Sequence, residues 1–309
     1  MKKIKFTQEY IVLFAIIVMI IVFGVLNPNF LRITNIVNIS RQISVFSLIA
    51  IGQAIVLISG GFDLSVGAIV GLSACMVAAL IGTYSVFLAI LITIAIGFGV
   101  GSVNGLLVSK GKMNPFLATL AMMTIIRGIV LLWTKGAPIF SDMPDSLTFF
   151  GRGYIGGIPV QVIFVAIIAL VFHLIISKNL FGRYIYAIGG NEEASRISGI
   201  KVDRIRIYTF GITGLLSSLG GILLTARLNS GQPMAGQGYE LESIAMAVIG
   251  GISLSGGEGS ILGCMLGVLF MGVLKNGLNL LNVSSFLQEV ITGLIIIATV
   301  IWRERSGGD

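Results

Sequence analysis

A chain of 309 residues that is 56% hydrophobic and only 11% charged is not an ordinary soluble domain, since those carry about 25% charged residues. Mean hydropathy is +1.02, and the 46 residues from Leu64 to Ser109 contain no Asp, Glu, Lys or Arg, enough for two membrane crossings of about 20 residues each. Hydrocarbon cannot satisfy a bare backbone and the alternating pattern of a β-barrel is missing, so the spans are predicted to be helices.

Taken in chain order, the first predicted element is the apolar run Tyr10–Leu26, which follows Lys2, Lys3 and Lys5 and leads into Asn27-Pro28-Asn29-Phe30. No small-residue cleavage site follows it, so it reads as a retained span. Further low-charge runs predict spans at 42–59, 62–82, 86–108, 115–134, 159–176, 207–226, 241–257, 261–281 and 286–302. The expected fold is an all-α membrane protein, a single transmembrane domain over residues 1–309 with about ten helices. Several glycine-rich stretches are expected to be broken or re-entrant. With the N-terminus inside, thirteen basic residues fall on the inner side and five outside, so both termini are expected in the cytoplasm. The net charge of +7 then reflects orientation and anionic lipid, not nucleic acid.

Glycines set the packing expectation. Gly97, Gly101 and Gly105 recur every fourth residue and let a neighbouring helix approach closely. Asn104 shares their face. Gly60-Gly61-Phe62-Asp63-Leu64-Ser65-Val66-Gly67 is echoed by Gly250-Gly251-Ile252-Ser253-Leu254-Ser255-Gly256-Gly257, and Asn104-Gly105-Leu106 by Asn276-Gly277-Leu278. Such an echo is compatible with duplicated halves whose helix breaks mark a conduit, and with chance in a glycine-rich chain.

Polar groups inside the spans are the candidates for a substrate path: Gln53, Ser65, Asn104, Thr124 and Asn276. Each could equally be a helix–helix hydrogen bond. Charges in or beside the spans are costly and therefore informative. Arg127, about 18 Å along its helix from Pro115, is expected to pair with Glu240 or Glu242 as a gate. Asp63 is expected to cap the helix that follows it. The prolines, glycines and aromatics of the outside loop 135–158 suit an ordered surface that a partner could touch, and equally a plain connecting loop.

The stretch Lys178–Arg206 is a charged island, holding six of the 20 basic and three of the 13 acidic residues. Within it Asn191 suits an N-cap, Glu192 and Glu193 the first helical turn, and Gly199 a C-terminal stop. So short a helix needs packing to persist. Ala194 and Ile197 offer it an apolar face, and Glu193 and Arg196 a pair at i, i+3. The element is shaped to slot into a soluble partner, or is simply a solvated loop helix. No phosphate-binding loop, paired catalytic motif, metal-ligand cluster or cofactor signature is present in the sequence. Cys75 and Cys264 read as buried small hydrophobes.

Together, Gly60–Gly67, Asn114–Leu120 with Arg127-Gly128, Gly182–Asn191 with Ser198-Gly199-Ile200, Gly238–Gly257, Asn276–Leu281 and Val283–Phe286 resemble the permease subunits of bacterial ribose-type sugar ABC importers. Lys275 and Lys135 depart from that pattern. The resemblance implies a non-enzymatic inner-membrane permease that pairs with a second permease copy. It also implies two partners, a cytoplasmic ATPase and an extracytoplasmic sugar-binding protein. It places ATPase coupling on Asn191–Gly199. A secondary, ion-coupled sugar carrier is the alternative, with Asp63 as its foothold. A membrane enzyme and a passive channel find no matching motif.

Overall fold

The computed structural model describes the backbone of residues 2–306. The side chains of Lys2, Lys3, Lys5, Arg303 and Arg305, which contribute to the charge asymmetry, lie outside the described residues. The elements are α1 (Lys2–Leu26), α2 (Ile33–Ile58), α3 (Val66–Ile81), α4 (Val86–Ser109), α5 (Pro115–Thr134), α6 (Asp145–Arg152), α7 (Val160–Lys178), α8 (Leu180–Gly190), α9 (Glu192–Ile197), α10 (Val202–Leu228), α11 (Tyr239–Ile249), α12 (Ile261–Leu280) and α13 (Ser285–Ser306). A two-stranded antiparallel hairpin, β1 (Tyr154–Ile155) with β2 (Ile158–Pro159), follows α6.

Among the described residues, seven helices are long and apolar enough to cross a membrane: α1, α2, α4, α5, α7, α10 and α12. Of the other predicted spans, α3 and α13 are shorter apolar helices and α11 has only 11 residues. The span expected over 241–257 is therefore corrected: its helix stops at Ile249. The cause is local. Gly251 takes φ +92° and donates to Val248 O at 2.9 Å while Ile252 N donates to Ala247 O at 3.0 Å. This is a Schellman cap, which a left-handed glycine closes without strain. The same cap ends α2, where Gly60 (φ +79°) bonds Leu57 O at 2.9 Å and Gly61 bonds Val56 O at 3.0 Å.

Helix α2 forms the centre, with Leu48–Ile51 and Ala54–Ile58 fully buried among α7, α10, α11 and α12. Helix α10 lies beside it and packs most extensively on α4. The glycine face of α4 makes that contact: a Cβ on Gly101 or Gly105 would run into the α10 backbone at Phe210–Gly211 or Arg206–Ile207. Around this core, α1, α4, α5, α7 and α13 turn residues such as Phe14, Phe87, Leu132, Leu170 and Phe286 outward, as lipid-facing helices do. Both cysteines are buried and free.

The loop 135–158 is tied to the bundle at several points. Leu147 of α6 is buried, Arg152 Nε donates to Arg227 O at 2.8 Å, and Arg41 Nη2 donates to Arg152 O at 2.6 Å. Ile139 and Gly231 form an isolated bridge that ties this loop to the segment after α10.

Candidate functional site: a mounted charged stub and its anchor

The charged island folds into α8, α9 and the start of α10. Asn191 Oδ1 accepts from Ala194 N at 2.9 Å, which satisfies one of the open donors of α9. Gly199, at φ +85°, donates to Arg196 O at 3.1 Å and Ile200 N donates to Ser195 O at 3.1 Å, a third Schellman ending. Between these stops the expected pair of Glu193 with Arg196 is not made. Arg196 reaches Glu192 Oε1 at 3.1 Å and Asp203 Oδ1 at 3.0 Å. Position i+4 from Glu192, together with the Asp203 carboxylate supplied by α10, outcompetes Glu193 for the guanidinium.

Arg206, by sequence one more basic residue of the island, is central to the anchor. Its guanidinium is largely buried and meets Glu192 Oε2 at 2.7 Å. Glu192 thus joins α9 to α10 by one oxygen and Arg196 by the other. Ser195 is the buried residue of the stub and its hydroxyl donates to Asn191 O at 2.8 Å. Ala194 and Ile197 are not the packing face that holds α9 to the bundle; both point away from it, with Ile197 81% exposed.

Partial burial alone would raise the Glu192 carboxyl, but the hydrogen bonds and charges of Arg206 and Arg196 outweigh it and hold the group below its ordinary value of 4.5. A depressed carboxylate gives stability that is present above that ordinary value and is lost as pH falls through the lower folded one. The attachment of α9 to α10 is therefore expected to be constant from neutral pH down to about 4.5 and to fail below it. Carbon-detected NMR of the Glu192 carboxyl in the intact chain checks this: a midpoint at or above the ordinary value contradicts the arrangement.

The stub is mounted where the two echoed glycine motifs meet. Gly257 N donates to Ile58 O at 2.8 Å, Gly256 lies against the Gly60 backbone, and Gly189 and Gly190 of α8 lie against Gly256 and Gly257. Tyr186 Oη donates to Gly259 O at 2.7 Å. The residues just before Asn191 thus touch the ends of both helix breaks. The echo extends to local bonding, since Ser65 N donates to Asp63 Oδ1 at 2.8 Å and Ser255 N to Ser253 Oγ at 3.3 Å. It stops there. Asn104 Nδ2 donates to Ser65 Oγ at 2.8 Å, whereas Asn276 exchanges bonds with Asn35 at 2.8 and 2.9 Å.

Of the five path candidates, only Ser65 and Asn104 come together, and they do so with Asp63 at the start of α3. Gln53 is fully buried with both amide atoms unpaired. Thr124 lies on the exposed side of α5, its hydroxyl donating to Leu120 O at 3.0 Å, so it does not line the interior of this chain. Gln161, which is not among the candidates predicted from sequence, is also fully buried with an unpaired amide.

The proposed pairing of Arg127 is corrected too. Its Nη1 donates to Pro233 O at 3.2 Å and Ala235 O at 3.0 Å, clamping the irregular segment that precedes α11. Glu240 lies close enough to act on Arg127 through space, but its Oε1 accepts from Gly238 N at 3.2 Å. Glu242 is taken by Lys275 Nζ at 2.6 Å, and Lys275 also sits 5.8 Å from the centre of the Phe46 ring. Two carboxylates in this region have two cations within reach, Arg127 and Lys275. Charge-assisted bonds contribute about 1.5–3 kcal/mol each. Arg127→Ala is therefore expected to slow uptake about tenfold with folded protein retained; uptake at the normal rate and abundance would refute the clamp.

The family described as "Branched-chain amino acid transport system / permease component" matches residues 35–300. The ribose import permease protein RbsC of Bacillus subtilis (strain 168) is 48% identical over 296 residues, 94% of this chain and 92% of that protein. RbsC of Escherichia coli K12 is 42% identical over 94% of this chain and 91% of its own length. The L-arabinose transport system permease protein AraH of Escherichia coli K12 is 37% identical over 96% and 90%. No solved structure matches. With its apolar helices and a full-length match of this kind, the chain is a multi-pass protein of the inner membrane and belongs to this family of transport-system permeases.

Proposed function

We propose that this chain is the transmembrane permease subunit of an ABC importer that carries a monosaccharide, ribose first among candidates, into the cytoplasm. The observation that carries the reading is the stub α9. It is capped at both ends, tied to α10 through Glu192 and Arg206, and presents Ala194 and Ile197 outward. A short helix held this firmly with its apolar residues unused suits a cleft on a separate ATPase. The likeness to proteins named as ribose import permeases supports the sugar.

In this reading ten helical segments are inserted, including the short α3, α11 and α13, with both termini and α9 in the cytoplasm. A second copy of the chain completes the path, and an extracytoplasmic sugar-binding protein docks on the ordered surface of α6 and the hairpin. ATP-driven closure of the partner subunits displaces α9. Because Gly189 and Gly190 abut both helix breaks, displacement is delivered directly to the ends of α2 and the segment after α11. Rigid-body rocking between two open states follows. A neutral sugar loses water along the path and needs weak polar replacements, for which Gln53, Ser65, Asn104 and Asn276 are proposed, with Asp63, Arg127, Glu240 and Glu242 holding the gate in shape. An affinity purification from native membranes tests the assembly. It should bring down an ATPase and a solute-binding protein; recovery of the permease alone under cross-linking conditions contradicts it.

A further inference from the structure

Beside the stub lies a cleft of about 330 Å³ whose walls include Lys110, Lys201, Arg204, Asp203, Ile200 and Ile207. Its position is unusual for a purely cytosolic surface. Lys110 immediately follows α4 and Arg204 lies in the first turn of α10, and both helices are long and apolar enough to be spans. The cleft therefore opens at the level where two spans leave the hydrocarbon. Its charge is lopsided. Asp203 is already engaged by Arg196 at 3.0 Å, while Lys110, Lys201 and Arg204 have no ion pair among the described residues and are exposed. Three unmatched cations at headgroup depth, with Ile200 and Ile207 as an apolar wall, combine what a phosphate needs with what the start of an acyl chain needs.

We infer that this cleft is a binding site for the headgroup of an anionic phospholipid. Basic pockets between spans recognise such headgroups through charge and geometry together, and a volume near the lower end of the usual ligand-pocket range of about 300–1,000 Å³ admits one. A soluble anion would use the cations but leave the apolar wall and the depth without purpose. A protein partner would meet α9 first, because Glu193, Ala194, Arg196 and Ile197 of the stub are all exposed. The inference depends on where the cleft sits along the helices, not on the ATPase assignment. Lipid bound here would lie next to Asp203, the α10 carboxylate that holds Arg196, and so would contact the anchor of the stub.

The test is native mass spectrometry of the full chain in detergent, titrated with phosphatidylglycerol and, separately, with phosphatidylcholine. Lys110→Gln/Arg204→Gln removes two cleft cations. Lys178→Gln/Arg183→Gln removes two exposed cations from the same charged island outside the cleft. The expected result is tighter retention of phosphatidylglycerol than phosphatidylcholine by the wild type. The cleft variant should lose about tenfold in phosphatidylglycerol affinity and the other variant none. If Lys110→Gln/Arg204→Gln does not fold, Lys110→Arg/Arg204→Lys keeps the charge and must retain the affinity. Equal retention in the cleft variant, equal loss in the other variant, or displacement of the lipid by inorganic phosphate at comparable concentration would each overturn the site.

Discussion

Ile197→Glu is expected to cut transport-coupled ATP hydrolysis at least tenfold while leaving the permease folded and at normal abundance. The asymmetry follows from its environment. Ile197 is 81% exposed, so the substitution removes little internal packing, and Glu192, Arg196, Arg206 and the Asn191 cap stay in place. If a partner receives Ile197 in a closed apolar cleft, a buried carboxylate there is uncompensated. Loss of an interface anchor costs about 2 kcal/mol or more, and about 1.4 kcal/mol is already tenfold in affinity. Hydrolysis rates with and without the sugar-loaded binding protein, measured on reconstituted complex, decide it. Unchanged coupling would mean that α9 is a solvated connector after all, and loss of folded protein would mean that Ile197 serves the bundle.

The second large effect lies in the membrane. Gly101→Val is expected to remove folded permease, because the new side chain would stand where the carbonyl of Phe210 and the Cα of Gly211 already sit. Neither neighbour is a flexible side chain that can turn aside; both belong to the α10 backbone. Overpacking in a well-filled core costs about 1–3 kcal/mol, occasionally more, and close backbone approach is what holds helices together in lipid. Gly99→Val, two residues away with open space around its Cβ position, should be tolerated. Abundance and thermal stability of the two variants in detergent provide the comparison. A stable Gly101→Val protein would show that α4 and α10 can separate without loss, and the tight core described above would not hold.

These two positions also show what was legible in the chain. The spacing of Gly97, Gly101 and Gly105 marked a close-packing face, because the helical period alone brings every fourth residue round to one side. It did not name the partner; α10 lies more than a hundred residues further on. The stub was legible for the same local reason, since caps and glycine stops act over three or four residues. Its ion pairs were legible only in part. Local spacing admits Glu192 at i, i+4 as well as Glu193 at i, i+3 for Arg196, whereas Asp203 and Arg206 approach only once α10 folds back beside α9.

Arg127 was misread in a related way. A charge in a span calls for a carboxylate on electrostatic grounds, yet two carbonyls freed by an irregular segment satisfy it as well, and Lys275 had the stronger claim on Glu242. The predicted span 241–257 failed for a subtler reason. Hydropathy continues past Ile249, and only the left-handed geometry at Gly251 ends the helix there. Where polar residues are buried without partners, as at Gln53 and Gln161, sequence composition could flag the residue but not its isolation.

The most direct test of the account is sugar uptake into proteoliposomes of defined composition. Vesicles containing this chain, its ATPase and its binding protein are expected to accumulate ribose against a gradient only when ATP is supplied on the α9 side. Vesicles containing the chain alone should accumulate none, with or without an ion gradient. Accumulation by the chain alone would contradict the claim that its work is done through α9 by another subunit.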